Sequence, residues 1–110
     1  MGWIGVDLDG TLAHYTGWKG ADNIGPPVPA MLNRVMDWLN AGKDVKVFTA
    51  RVSAPEQEAP IRAWLIENLG EEKAARVGIT NVKDFAMIEL WDDRAIQVEI
   101  NTGRRVDGKP

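Results

Sequence analysis

The chain has 110 residues, enough for one domain with a single sizeable core and no second lobe. It is 45% hydrophobic and 26% charged with a net charge of -3, so nothing global draws a polyanion, and nucleic-acid binding would need a local basic patch. Cysteine is absent and His14 is the lone histidine, which excludes disulfides, thiolate catalysis, thiolate-bound zinc and a multi-histidine metal centre. No apolar run approaches the length of a membrane span, and Asp7 and Asp9 interrupt any leader-like pattern in residues 1–13. A cytoplasmic protein without membrane association is expected.

Residues 3–8 read as a first buried strand. Residues 13–28 (AHYTGWKGADNIGPPV) are broken by glycine and proline and predict a loop or flap. Pro29 suits the first turn of a helix reaching about Asn40, with Met31, Leu32, Val35, Met36, Trp38 and Leu39 on its apolar side. Ala41-Gly42 stops that helix. Residues 44–49 contain "VKVF", a second strand. Pro55 and Pro60 punctuate the next segment, and a helix over 60–68 carries Ile61, Trp64, Leu65 and Leu69 at helical spacing before Gly70. A short helix over 71–76 and a third strand, "VGIT", come next. Residues 88–91 (IELW) form a fourth strand that ends on Asp92-Asp93, and residues 95–100 with "NTGRRV" predict a terminal hairpin turning at 101–103. This alternation implies one α/β domain over 1–110, a Rossmann-like three-layer sandwich whose mainly parallel sheet is covered by helices on both faces. Ligands in such sheets sit beyond the carboxyl ends of the strands.

Polar residues stand at those ends. The first strand delivers Asp7 and Asp9 in "GVDLDGTLAH", the second Thr49 in "VFTAR", the segment after the third Lys83 in "NVKD", and the fourth Asp92 and Asp93 in "LWDDR". Two acids at the end of a buried strand repel each other and cost desolvation, so something must compensate. A metal ion with phosphate chemistry would do so; a merely solvated turn would avoid the problem. Carboxylate oxygens are the hard ligands that Mg²⁺ prefers, and the ion typically keeps positions for water and a substrate phosphate. A threonine hydroxyl and a lysine ammonium would donate to the remaining phosphoryl oxygens, a set suited to phosphoryl transfer.

Taken singly, each feature has a plainer explanation. Asp7-Leu8-Asp9-Gly10 alone fits a strand-to-turn junction, Thr49 a helix N-cap, and Lys83 a solvated lysine with Asp84 as its surface partner. Arg51 and Arg94 either recognise an anionic substrate group through the planar guanidinium or pair with the clustered aspartates. Trp18, in "TGWKG", either stacks on a substrate base or sugar and closes over the site, or packs on the sheet to anchor its loop, the favoured alternative of the two. His14 reads as a flap residue.

Together and in this order, Asp-Leu-Asp-Gly-Thr, Thr49, Lys83 and Asp92-Asp93 resemble the motifs of the haloacid dehalogenase (HAD) superfamily of phosphohydrolases, over residues 6–94. The resemblance implies that Asp7 is the nucleophile and that Asp9 protonates the leaving oxygen and then activates water. Thr49 and Lys83 would hold phosphoryl oxygens, Gly10 would let the backbone approach the phosphate, and Thr11 would pin that turn. Mg²⁺ would be held by Asp7, the main-chain carbonyl of Asp9, and Asp92 with Asp93 in or near its shell, Asp92 being favoured as the direct ligand. Two departures stand out: Arg94 comes after the acidic pair in place of a longer acidic pattern, and residues 13–28 are too few for a large cap. The implied protein is a capless, Mg²⁺-dependent phosphatase that hydrolyses a phosphomonoester, small molecule or macromolecular end, through an aspartyl-phosphate on Asp7. Two alternatives stand beside it. One is a nucleic-acid or nucleotide end-processing phosphatase: "TAR" and "DDR" resemble phosphatase domains joined to polynucleotide kinases, and Arg104, Arg105 and Lys109 make a small basic tail. The other is a non-catalytic metal- or phosphate-binding module. An open site and five tryptophans are compatible with a homo-oligomer.

Overall fold

The buried apolar run Trp3–Val6 forms β1, placed inside the sheet where a strand needs no polar face. In chain order there follow α1 (Pro29–Asn40), β2 (Asp44–Phe48), two single 3₁₀ turns (Ala50–Ser53 and Pro55–Gln57), α2 (Glu58–Leu69), α3 (Glu71–Ala75), β3 (Val77–Thr80) and β4 (Met87–Trp91). The computed structural model describes residues 2–110, Pro55 in its backbone alone. The four strands make one all-parallel sheet in the order β3-β2-β1-β4. β1 pairs with β2 from Trp3 opposite Asp44 to Val6 opposite Val47.

Local chemistry explains the helices. Pro29 opens α1 where no intrahelical N–H is needed, and the N–H groups of Ala41 and Gly42 close it on the carbonyls of Asp37 and Leu39. α2 starts two residues before Pro60; the proline sits in the first turn, where its missing N–H costs nothing. Met31, Val35 and Leu39 of α1, Ile61, Trp64 and Leu65 of α2 and Ala74 of α3 join Ile4, Val6, Val45, Val47 and Val77 in one core. Arg62 fastens α2 to α3 and β3, donating to the carbonyls of Ala74 and Val77.

The four-stranded all-parallel sheet with its helices is consistent with a Rossmann-like sandwich, and the connections govern where the helices lie. The steps β1 to β2 and β2 to β3 run the same way across the sheet, and right-handed crossovers then place α1 and α2 on the same side. The step from β3 to β4 runs back past both inner strands, and a helix there would have formed the second layer. Residues 81–86 make that connection without a helix, too few for the dozen or so that a helical crossover takes. They form a strap. The diagonal it spans is roughly 20 Å, close to the reach of a fully extended chain of this length. Ala86 accepts from the Trp3 backbone N–H, and the Asp84 carboxylate accepts from the Trp3 indole at 2.8 Å, so the strap lies against the face that bears Trp3. Lys46 shares that face, its ammonium 4.7 Å from the Trp3 ring centre.

The carboxy-terminal segment turns as expected at Asn101 and Gly103, both at positive φ, but its pairing is limited to a bridge between Val98 and Arg105. Among the described residues no helix is long and apolar enough to cross a membrane.

Candidate functional site

The site grows from the carboxyl end of β1. Asp7 donates its backbone N–H to the carbonyl of Trp91 at 2.9 Å, which draws the end of β4, and therefore Asp92 and Asp93, alongside it. The chain then reverses: the N–H groups of Leu12 and Ala13 both reach the Leu8 carbonyl, and Gly10 donates to Ala13. Leu8 and Leu12 are fully buried and fix this turn to the core. Gly10 at its apex has φ +93°, and a Cβ there would lie 2.6 Å from Asp93 Oδ2. Glycine is thus required twice over, by the backbone and by the acid beside it. The Thr11 hydroxyl bridges the two strands' acids, lying 3.3 Å from Asp7 Oδ2 and 3.1 Å from Asp93 Oδ1 while accepting the Asp93 N–H at 3.0 Å.

Carboxylate oxygens of Asp7, Asp92 and Asp93 lie within 4.8 Å of one another. The consequence is electrostatic. Burial first, then the hydrogen bond with Asp93 and the charges of Asp92 and Asp93, push the Asp7 carboxyl up to about 7, against a small opposing effect from Thr11.

Asp9, two residues on, faces a different partner. Arg51 donates from Nε to Asp9 Oδ2 at 2.7 Å and from Nη2 to Oδ1 at 3.0 Å, a two-pronged pair. The same guanidinium caps the carbonyls of Ala21 at 3.2 Å and Asn23 at 2.9 Å. Arg51 is only 7% exposed. Of the two expectations for this residue, pairing with an aspartate is the observed one. Thr49, 3% exposed, ends β2 and accepts the Arg51 backbone N–H at 3.1 Å, acting as the cap of the 3₁₀ turn.

The loop over residues 13–28 is anchored at its two ends as well as by Arg51. His14 donates its N–H to Pro26, and the Trp64 indole donates to Gly25 at 2.9 Å. A Cβ on Gly25 would collide with the His14 carbonyl, so the two limbs of the loop can only close on glycine. Trp18 does not pack down on the sheet, the alternative favoured from sequence. It is 57% exposed, and its ring lies over Arg51, 4.7 Å from the guanidinium carbon to the ring centre.

A cavity of about 690 Å³ gathers Asp7, Asp9, Thr49, Arg51, Asp92, Asp93, Arg94 and Trp18, and with them Tyr15, Ser53 and Gln57, which the sequence did not single out. Tyr15 stands in the same glycine-flanked loop as Trp18, a signal that was available; Ser53 and Gln57 carried none. Arg94 is exposed, and its backbone N–H donates to Asp92 Oδ1 at 2.7 Å. Lys83 is not brought to the cavity: it is exposed on the 81–86 strap. Its neighbour Asp84 is engaged by Trp3 rather than by Lys83.

No family model, curated protein or solved structure matches this chain.

The chemistry must therefore be read from the side chains themselves. Among the described residues Asp7, Asp92 and Asp93 form no ion pair, and Arg51 is committed to Asp9. Three carboxylates whose oxygens lie this close could hold a metal ion. Thr11 would orient two of those carboxylates.

Proposed function

We propose that this protein is a Mg²⁺-dependent phosphomonoester hydrolase of the HAD type, with Asp7 as its nucleophile. The observation that carries the proposal is convergence. Acids separated by more than eighty residues in sequence meet at the carboxyl ends of two adjacent parallel strands, on a cavity that also holds Asp9 and a buried Thr49. The motifs of Asp7, Thr49 and Asp92-Asp93 follow β1, β2 and β4 and line one cavity, which supports this reading; the Lys83 motif lies apart on the strap.

An ion held by Asp7, Asp92 and Asp93 would supply positive charge against the phosphoryl oxygens and ease the mutual repulsion of the acids. The protein's own groups account for the rest. The Asp7 carboxylate oxygen bonds to phosphorus as the ester P–O bond breaks, giving an aspartyl-phosphate and an alcohol whose oxygen takes its proton from Asp9. Water then attacks the aspartyl-phosphate, loses its proton to Asp9, and releases inorganic phosphate and free Asp7. The Thr49 hydroxyl and exposed Arg94 line the same cavity and would receive phosphoryl oxygens. Both oxygens of Asp9 accept from Arg51, and each keeps a second lone pair for a proton. Arg51 would thus orient the acid–base group rather than contact the phosphate.

Hydrolysis of an aryl phosphate, with and without Mg²⁺, tests the proposal on the wild-type chain and on Asp7→Asn. Turnover that needs Mg²⁺ and disappears in the variant is expected. Full activity in Asp7→Asn would overturn the assignment.

A further inference from the structure

Resting on the phosphatase reading, we infer that Trp18 is a stacking platform that selects the substrate class, a phosphorylated nucleoside, and that Arg51 holds this platform in place. A large indole left more than half exposed on a cavity wall has its apolar surface in water until something covers it. One face of Trp18 already rests on the Arg51 guanidinium. That guanidinium is fixed by Asp9 and by the Ala21 and Asn23 carbonyls, which belong to the same loop as Trp18. The Trp64 indole holds the far limb of the loop through Gly25. The platform is therefore ordered before any ligand arrives, and binding does not have to bear that entropy.

What suits such a surface is a flat ring. Aromatic rings stack on indole whatever their edge groups, because every base has a flat π-face. Arg51 covers one face of the indole while its edge holds Asp9, so a ring on the indole's free face and a phosphate at the aspartates are not adjacent groups of the ligand. A spacer such as ribose joins them. Ser53 and Gln57, which line the same cavity, offer a hydroxyl and an amide to the polar edge of a base, and Tyr15, 47% exposed, adds a second aromatic. The cavity, about 690 Å³, is within the range of small-molecule sites. With a net charge of -3, a free mononucleotide is favoured over the end of a nucleic-acid strand.

The test compares a nucleoside 5′-monophosphate with ribose 5-phosphate, which differ only in the base. Steady-state turnover with Mg²⁺ is measured on the wild type, Trp18→Ala and Trp18→Phe. In parallel, calorimetry gives affinities on Asp7→Asn, and on Asp7→Asn combined with each Trp18 change, without metal. The expected wild-type preference for the nucleotide is about 5- to 100-fold, the range that stacking one base supplies. Trp18→Ala brings the ratio near one, and Trp18→Phe restores most of it. A ratio near one in the starting chain, or a ratio that survives Trp18→Ala, overturns the platform. The two readings fail separately. If neither ester is hydrolysed yet the affinity ratio depends on Trp18, the platform stands and the phosphatase reading falls. If both esters turn over equally, the phosphatase reading stands and the platform falls. A 5′-phosphorylated oligonucleotide, run alongside, distinguishes free nucleotide from strand end; its preference over the mononucleotide, with the same dependence on Trp18, supports the platform and moves the source to strand ends.

Discussion

Replacing Asp7 by asparagine should stabilise the metal-free protein, against the usual rule that polar site residues can only be lost at a cost. Two like charges at 4.8 Å interact with about 3.5 kcal/mol at an effective dielectric constant of about 20. Asp7 faces two such neighbours, Asp92 and Asp93. Its site is open to solvent on the cavity side, so water and counter-ions remove most of this repulsion and a net gain of about 1–2 kcal/mol is expected. For a domain of this size each kcal/mol moves the melting temperature by about 4–8 °C. The sign with pH is fixed by the carboxyl. Its value of about 7 in the folded chain lies above the ordinary 3.8, so the fold holds the proton more tightly than the unfolded chain does. Wild-type stability therefore falls as pH rises from about 4 to about 7 and is flat beyond, while the variant does not share that fall. The advantage of Asp7→Asn should be near zero at about pH 4 and complete at about pH 8. Saturating Mg²⁺, near a hundred times its dissociation constant, should return about 2.7 kcal/mol to the wild type and much less to the variant. Thermal melts of both proteins, at three pH values with and without Mg²⁺, make the measurement. A variant that is less stable at high pH, or that gains as much from Mg²⁺ as the wild type, refutes the clustered-charge argument.

Three further outcomes are expected. Apparent Mg²⁺ affinity, followed by calorimetry, should climb up to about tenfold per pH unit below about pH 7 and level off above, because the ion displaces the Asp7 proton. Gly10→Ala and Gly70→Ala both force a side chain onto positive φ, at +93° and +85°, and each should lose about 1–2 kcal/mol in denaturant unfolding. Only the first drives a Cβ into Asp93, so only the first should also lose Mg²⁺ stabilisation. Arg51→Gln strands Asp9 and two loop carbonyls and should cost about 2–4 kcal/mol, with Arg51→Lys intermediate because the fork is lost but the charge is kept. Trypsin should then cut after exposed Lys19 faster in both variants and in Asp9→Asn; unchanged cleavage in Asp9→Asn would show that Arg51 holds the loop without its aspartate.

The sequence carried the parts of the structure that depend on local pattern. The spacing of Met31, Val35 and Leu39 placed the buried face of α1, and the apolar runs ending in Asp7 and Asp92 located the acids of the site. What it could not carry was path. The six residues between β3 and β4 are too few for a helical crossover, a count visible in the chain, yet strand–helix alternation elsewhere argued for a second layer. Once that link is a strap, Lys83 goes with it and leaves the cavity. Arg51 was recognisable as a residue behind a strand end, but its partner lies forty-two positions away, and nothing in composition says which acid it takes. Trp18 depended on the same unknown, because its exposure is set by where Arg51, Trp64 and Gly25 tie the loop.

The strap has one more implication, for β4. That strand has β1 as its neighbour on one side and lies at the sheet's margin on the other, steadied by Trp91 against Trp38 at 5.3 Å and Arg34 at 5.2 Å. It also carries Asp92 and Asp93, whereas Asp7 belongs to the interior strand. An ion gripped by all three would rivet margin to interior, and its binding energy would become resistance of β4 to peeling. Amide exchange along Met87–Trp91 should accordingly slow when the ion is added, making this margin strand the gauge of whether its acids are occupied.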